Sequence, residues 1–352
     1  MNFCTRRIED CIEGQDEPEP FSGVVHLTKG DRVLFEGAYG SAIRSESIPN
    51  RVDTRFQTAS GCKIFTSVAV CQLVERADDG PSGELTFDTP VRECVDVEFP
   101  NFAPDITIHH LLTHSSGVTS YFEEDVDPDY EALWKDQPMY AVRGPADFLP
   151  LFQHKGMKFS PGERFEYNDG GYILLGLVIE SITGLSFSTF VKRNVLDVAG
   201  MKDSGYFPTD QLPERTAYAY IRNPDGTWRT NFFAVPIVGA PDGGAYTTAP
   251  DMARFWRALT EHRLMSTETT ELLLKPQIAT SWQPPYTHYG YGVWIERSGE
   301  TVRKFFVEGS DPGVAFRSAL YPEEDVILTV IGNTGEALWP LYEEIERGLF
   351  EG

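Results

Sequence analysis

A chain of 352 residues with 41% hydrophobic content can bury a sizeable core, as one large domain or two interleaved ones. Its formal net charge of −23 argues against nucleic acid and anionic membrane as partners. No apolar run approaches the ~20 residues that a bilayer crossing needs, and residues 1–20 hold charges but no apolar signal region, so a cytoplasmic protein is expected. Cys4, Cys11, Cys62, Cys71 and Cys94 lack metal-type spacing and read as reduced thiols.

In chain order, residues 1–20 form an irregular or short helical lead. Residues 24–28 and 32–39 flank Lys29-Gly30-Asp31 and predict a β-hairpin. A loop over 41–57 leads to Ser60, where a helix is expected to start and to run to about Ala77, stopped by Asp78-Asp79-Gly80-Pro81. From 84 to about 260 the chain reads as helix and loop. A helix starts after Pro104 over 106–112, an acidic and aromatic excursion or lid covers 121–145, and apolar helices follow at 172–182 and 187–198. A Gly-rich loop over 239–248 precedes a helix at 250–259. Strands are expected at 289–296, 302–308, 314–321 and 326–331, and a last helix at 336–349. Strands at both ends with helices between them predict an α+β fold. One antiparallel sheet flanked by helices is built from 1–83 and 261–352, with a mostly helical part inserted over 84–260. The acidic runs 123–125 and 323–325 read as solvated loops.

Chemistry centres on Ser60-Gly61-Cys62-Lys63. On a helix Lys63 lies one turn beyond Ser60, within reach of its hydroxyl, and a desolvated neutral lysine can take the serine proton. The same four residues also describe a helix cap followed by a solvated lysine. Tyr167, in the Gly-flanked loop Tyr167-Asn168-Asp169-Gly170-Gly171, is a candidate proton relay or an ordinary half-buried tyrosine. Asp169 either orients Lys63 or a substrate amide, or closes an Asx turn. In Val307-Glu308-Gly309-Ser310-Asp311-Pro312-Gly313, Gly309 would admit substrate close to the backbone and the Ser310 N–H would face an oxyanion. A plain strand-ending turn has the same pattern.

These segments, in this order, resemble the serine β-lactamase and penicillin-binding-protein superfamily. The branch most similar holds class C β-lactamases, family VIII carboxylesterases, DD-peptidases and D-amino-acid peptidases. The similarity extends to Ile106-Thr107-Ile108-His109-His110-Leu111-Leu112-Thr113-His114-Ser115-Ser116-Gly117, to the run from Phe159 to Gly184, to Gly200-Met201-Lys202-Asp203-Ser204 and to the segment from Gly243 to Met252.

The resemblance implies the sheet–helix fold with its site between the two parts. It implies Ser60 as the acylated nucleophile, Lys63 as its base or proton partner, Tyr167 as second relay, and the Ser60 and Ser310 N–H groups as oxyanion hole. It also implies that His109, His110 and His114 are structural. Two positions depart from the family pattern. Tyr-x-Asn is Tyr-x-Asp here, and Asp169 favours a protonated Lys63. The usual Lys-Thr-Gly or His-Thr-Gly is Val307-Glu308-Gly309, so the cation that helps bind a substrate carboxylate is lost unless Arg317, Arg303 or His288 replaces it. That argues against efficient action on β-lactams, and an amine-bearing substrate held by Glu308 or Asp169 becomes conceivable. The expected function is a serine hydrolase acting on small ester or amide substrates through a Ser60 acyl-enzyme. The alternatives are a D-amino-acid or amine-selective peptidase and a non-catalytic ligand-binding homologue. No cofactor or metal is expected, and the partner is a small-molecule or peptide substrate.

Overall fold

The computed structural model describes residues 8–12, 20–76, 85–123, 126, 129–282, 284 and 286–350. Eight strands make one antiparallel sheet: β1 Gly23–Lys29, β2 Arg32–Tyr39, β3 Ile278–Ala279, β4 His288–Tyr289, β5 Trp294–Ser298, β6 Thr301–Asp311, β7 Val314–Tyr321 and β8 Val326–Gly332, in the order β2-β1-β8-β7-β6-β5-β4-β3. The first strand pairs with the last, from Gly23↔Gly332 to Lys29↔Val326. β7 and β8 are buried on both faces, so their sequences are mostly apolar rather than alternating, with Arg317, Ser318 and Thr329 as buried polar exceptions. The β1–β2 hairpin turns at Gly30, whose φ of +55° suits glycine.

Helices cover both faces. The helix α1 Lys63–Glu75 lies in the core shared with Val307, Phe316, Leu320, Ile327 and Ile331. On the other face α4, Leu338–Phe350, packs Leu338, Leu341, Tyr342 and Ile345 against Phe306, Ala315, Ala319, Leu328 and Val330. Between them come α2, Asp169–Thr183, and α3, Ala249–Thr260. Asn168 caps α2 by accepting from the Gly171 N–H at 2.7 Å, and Gly184 ends it at φ +66°. The sequence division places α3 in the helical insertion. The structure lays it on the sheet beside β1 and β8, where Trp256 Nε1 donates to Ser318 Oγ at 2.9 Å.

Three elements differ from expectation. The α-helix begins at Lys63, not Ser60, because Ala59–Cys62 is a 3-10 turn and Ser60 caps nothing. Every residue from Lys63 to Leu73 is buried, so α1 has no polar face whose period would mark its start. The strand expected over 289–296 is broken by Gly290-Tyr291-Gly292. Gly292 has φ +74°, and a Cβ there would run into Ser67 Oγ. The 121–145 excursion is pinned where it is described. It makes 3-10 turns at Tyr130–Lys135 and Met139–Ala141, with Trp134 buried and its Nε1 donating to Ala234 O at 2.8 Å. The expected stop at 78–81, Cys4, Glu124 and Asp125 lie outside the described residues. Cys11, Cys62, Cys71 and Cys94 are free thiols.

Candidate active site

The 3-10 turn that carries Ser60 is held from two sides. The Gly-rich loop before α3 crosses it, with Gly244 N–H donating to Ala59 O at 3.1 Å. Strand β6 presses on it at Gly309, where a Cβ would stand 2.6 Å from Ser60 N and 2.7 Å from Gly61 N and would run into Thr58 O. Between these contacts Ala59 adopts φ +44°, a strained value for a residue with a side chain. The turn thus presents the Ser60 N–H at the glycine of the strand end. Ser310, the next residue along β6, pairs with Ala315 of β7.

Lys63 opens α1 and points back at the turn. Its Nζ donates to Ser60 Oγ at 3.0 Å, to Asp169 Oδ1 at 2.6 Å and to the main-chain oxygen of Asp242 at 2.6 Å. All three ammonium hydrogens therefore have acceptors, although the side chain is only 2% exposed. Burial pushes a lysine pKa down. Here Asp169, with Tyr167 and Asp242, outweighs it and holds Lys63 well above its ordinary value. The lysine is a cation at rest, which the aspartate at 169 favours and the neutral-base reading does not.

Tyr167 is half-buried, its ring centroid 4.9 Å from Lys63 Nζ. Burial lifts the phenol to about 12, while Lys63 and Ser60 draw it down. Its ring is stacked on Trp294 at 5.9 Å and lies 4.3 Å from the His114 ring. His114 is buried, accepts from the Asn168 N–H at 3.0 Å and meets the Tyr289 hydroxyl at 3.2 Å. It backs Tyr167 and does not reach Ser60. His109 meets the Tyr291 hydroxyl at 2.9 Å, and His110 joins the Thr107 capping box.

Ser60, Lys63, Tyr167, Asp169 and Gly309 come together. Glu308 does not join them. Its side chain is on the α4 face of β6, where Arg317 Nε donates to it at 2.7 Å. Arg317 is buried, donates also to the Tyr286 hydroxyl at 2.9 Å, and lies over the Trp339 and Tyr342 rings. It is therefore engaged and does not replace the missing third-motif cation. Arg303 pairs with Glu296 at 2.8 Å, and His288 rests against Thr287.

Two carboxylates escaped the sequence reading. Asp242, in the Gly-rich loop, is buried and accepts a short hydrogen bond from the Tyr121 hydroxyl. Burial, against the pull of Lys63, holds its carboxyl up at about 6. Asp311 ends β6 two residues beyond Gly309. Burial, Asp242 and Asp169 lift it to about 7, against Lys63. The available signal was an acid inside each Gly-containing segment that the resemblance had already marked.

Known proteins resemble this chain along most of its length. The profile of the β-lactamase family matches residues 8–344. Penicillin-binding protein 4* of Bacillus subtilis (strain 168) is 26% identical over 345 residues, which is 94% of this chain and 72% of that protein. Esterase EstB of Burkholderia gladioli is 32% identical over 262 residues, 67% of this chain and 64% of that one. The crystal structure of a penicillin binding protein from Bacillus halodurans superposes with a TM-score of 0.89 at 46% identity, covering 97% of this chain and all, 100%, of that one. Within the described residues no single helix is long and apolar enough to cross a membrane. On the match across nearly its whole length, this chain belongs to the β-lactamase family of serine hydrolases.

Proposed function

We propose that this chain hydrolyses small esters or amides through an acyl-enzyme on Ser60. The observation that carries the reading is the Lys63 Nζ–Ser60 Oγ contact at 3.0 Å, with Tyr167 against the same lysine. Ser60 Oγ attacks the substrate carbonyl carbon. Its proton passes to the Lys63–Tyr167 pair once that pair has lost one proton, and then to the leaving oxygen or nitrogen, whose bond to carbon breaks. The oxyanion faces the N–H groups of Ser60 and Ser310. Water then attacks the ester, the acid leaves, and Ser60 regains its proton. Because Asp169 keeps Lys63 charged at rest, activity rises toward alkaline pH.

The test is hydrolysis of p-nitrophenyl acetate and butyrate by wild type and Ser60→Ala, with fluorophosphonate labelling mapped by mass spectrometry. The reading requires turnover and a label on Ser60, both lost in the variant. Equal rates in the two proteins, or a wild type that is neither active nor labelled, overturn it. A ligand that raises thermal stability without labelling would indicate a binding homologue.

A further inference from the structure

We propose that Asp311 recognises an ammonium group on the acyl part of the substrate, so that the site prefers amino-acyl esters and amides over uncharged or carboxylate-bearing ones. The inference rests on the acyl-enzyme reading of Ser60 and names the substrate class for that site.

Strand alternation gives the direction. Residues two apart on β6 share a face. Val307 packs into the core that holds α1, and the Gly309 backbone abuts Thr58, Ser60 and Gly61. Asp311 is the next residue on that face, beside the nucleophile turn, whereas Glu308 belongs to the opposite face with Arg317. The acid in this motif that bears on the site is therefore Asp311.

Partner accounting gives the chemistry. Lys63 faces three carboxyl groups. Asp169 takes its ion pair. The Asp242 carboxyl accepts from Tyr121, and only its main-chain oxygen takes a lysine hydrogen. The main chain of Asp311 pairs with Val314, but its carboxylate forms no hydrogen bond or ion pair with any described residue, and the residue is half-buried. With all three acids ionised, one fixed cation leaves the site two negative charges in excess. A substrate ammonium supplies the missing charge, and a substrate carboxylate meets repulsion. Both Asp311 and Asp242 act on the Tyr130 phenol, which also feels Tyr121. Two aromatic rings thus stand among the acids, and aromatic rings tolerate an adjoining cation. Val307, where the family pattern has a cation, removes the group that would compete for this space.

The experiment compares D- and L-alanine p-nitroanilide and their N-acetyl derivatives on wild type and Asp311→Asn, the ratio of kcat/KM between free and acetylated amine being the readout. The wild type is expected to favour the free amine by about tenfold, with most of that preference lost in Asp311→Asn through KM. An unchanged ratio in the variant, or no preference in the wild type, overturns the proposal. Binding of alaninamide to Ser60→Ala, with and without Asp311→Asn, by calorimetry gives a readout independent of turnover. Weakening by about tenfold on losing Asp311 supports the proposal even if Ser60 proves not to be acylated, and equal affinities sink it. Fluorophosphonate labelling of the wild type reports on the hydrolase reading separately.

Discussion

Asp169 Oδ1 lies 2.6 Å from Lys63 Nζ, and the lysine it holds is almost fully buried. This pair sets the resting charge of the group beside Ser60. Replacing Asp169 with asparagine, the residue of the usual family pattern, removes what outweighs burial, so the Lys63 pKa falls. The alkaline rise of kcat/KM on p-nitrophenyl butyrate should then move to lower pH by about one unit or more in Asp169→Asn. An unshifted profile would show that Lys63 does not limit the reaction.

Gly309 is required by its contact with the Ser60 turn. Its missing Cβ leaves room for Ser60 N at 2.6 Å, and Gly309→Ala must push β6 away from that turn. The variant should lose about a hundredfold in kcat, the scale of a lost oxyanion donor, with about 1–3 kcal/mol of stability. Wild-type kinetics would exclude a tight oxyanion site here.

The Glu308–Arg317 pair makes a different prediction, because the arginine side chain is only 6% exposed. Glu308→Gln leaves that cation without its carboxylate and should cost about 3 kcal/mol in urea unfolding. The double variant Glu308→Gln, Arg317→Met should recover most of the loss. If Glu308 held substrate instead, KM would rise while stability stayed constant.

His26 provides an acid-sensitive point far from the chemistry. It is buried in β1 with Nδ1 unpartnered, and burial together with nearby Arg254 lowers its pKa to about 4. The folded pKa lies below the unfolded value of 6.5, so the stabilisation is complete above pH 6.5 and is lost as pH falls to about 4. The full contribution is roughly 3 kcal/mol. Urea midpoints of wild type and His26→Asn should converge over that window, and a constant gap would contradict it.

Asp311 should give amine recognition a pH signature. Its carboxyl, raised to about 7 by burial and by Asp242 and Asp169 against Lys63, with the Tyr130 phenol beside it, loses its proton as pH rises through that value. Alaninamide affinity for Ser60→Ala should strengthen as pH rises to about 7 and fall again above about pH 8, where the α-amine loses its proton. Asp311→Asn should abolish the rise below pH 7 and keep the alkaline fall, and a wild-type curve without that rise would contradict the assignment.

Much of the fold was legible because burial writes itself into composition. β7 and β8 are mostly apolar since both faces are covered, and Gly184 marks the end of α2, although its start lies at Asp169 rather than 172. The start of α1 was not legible. A 3-10 turn and a first helical turn draw on the same residues, and it took the packing of Gly309 and Gly244 to choose between them. The Gly290-Tyr291-Gly292 break was hidden in a run that otherwise suits a strand.

At the site, the sequence by itself determined the residue types and their order: a serine, a lysine three residues on, a tyrosine with an aspartate two beyond it, and an acid-bearing glycine strand end. The tertiary structure decided which acids meet the lysine. Glu308 and Asp311 are three residues apart on one strand, and strand alternation puts them on opposite faces. The face that packs on the Ser60 turn is set by contacts between residues far apart in the chain, and local sequence does not encode them.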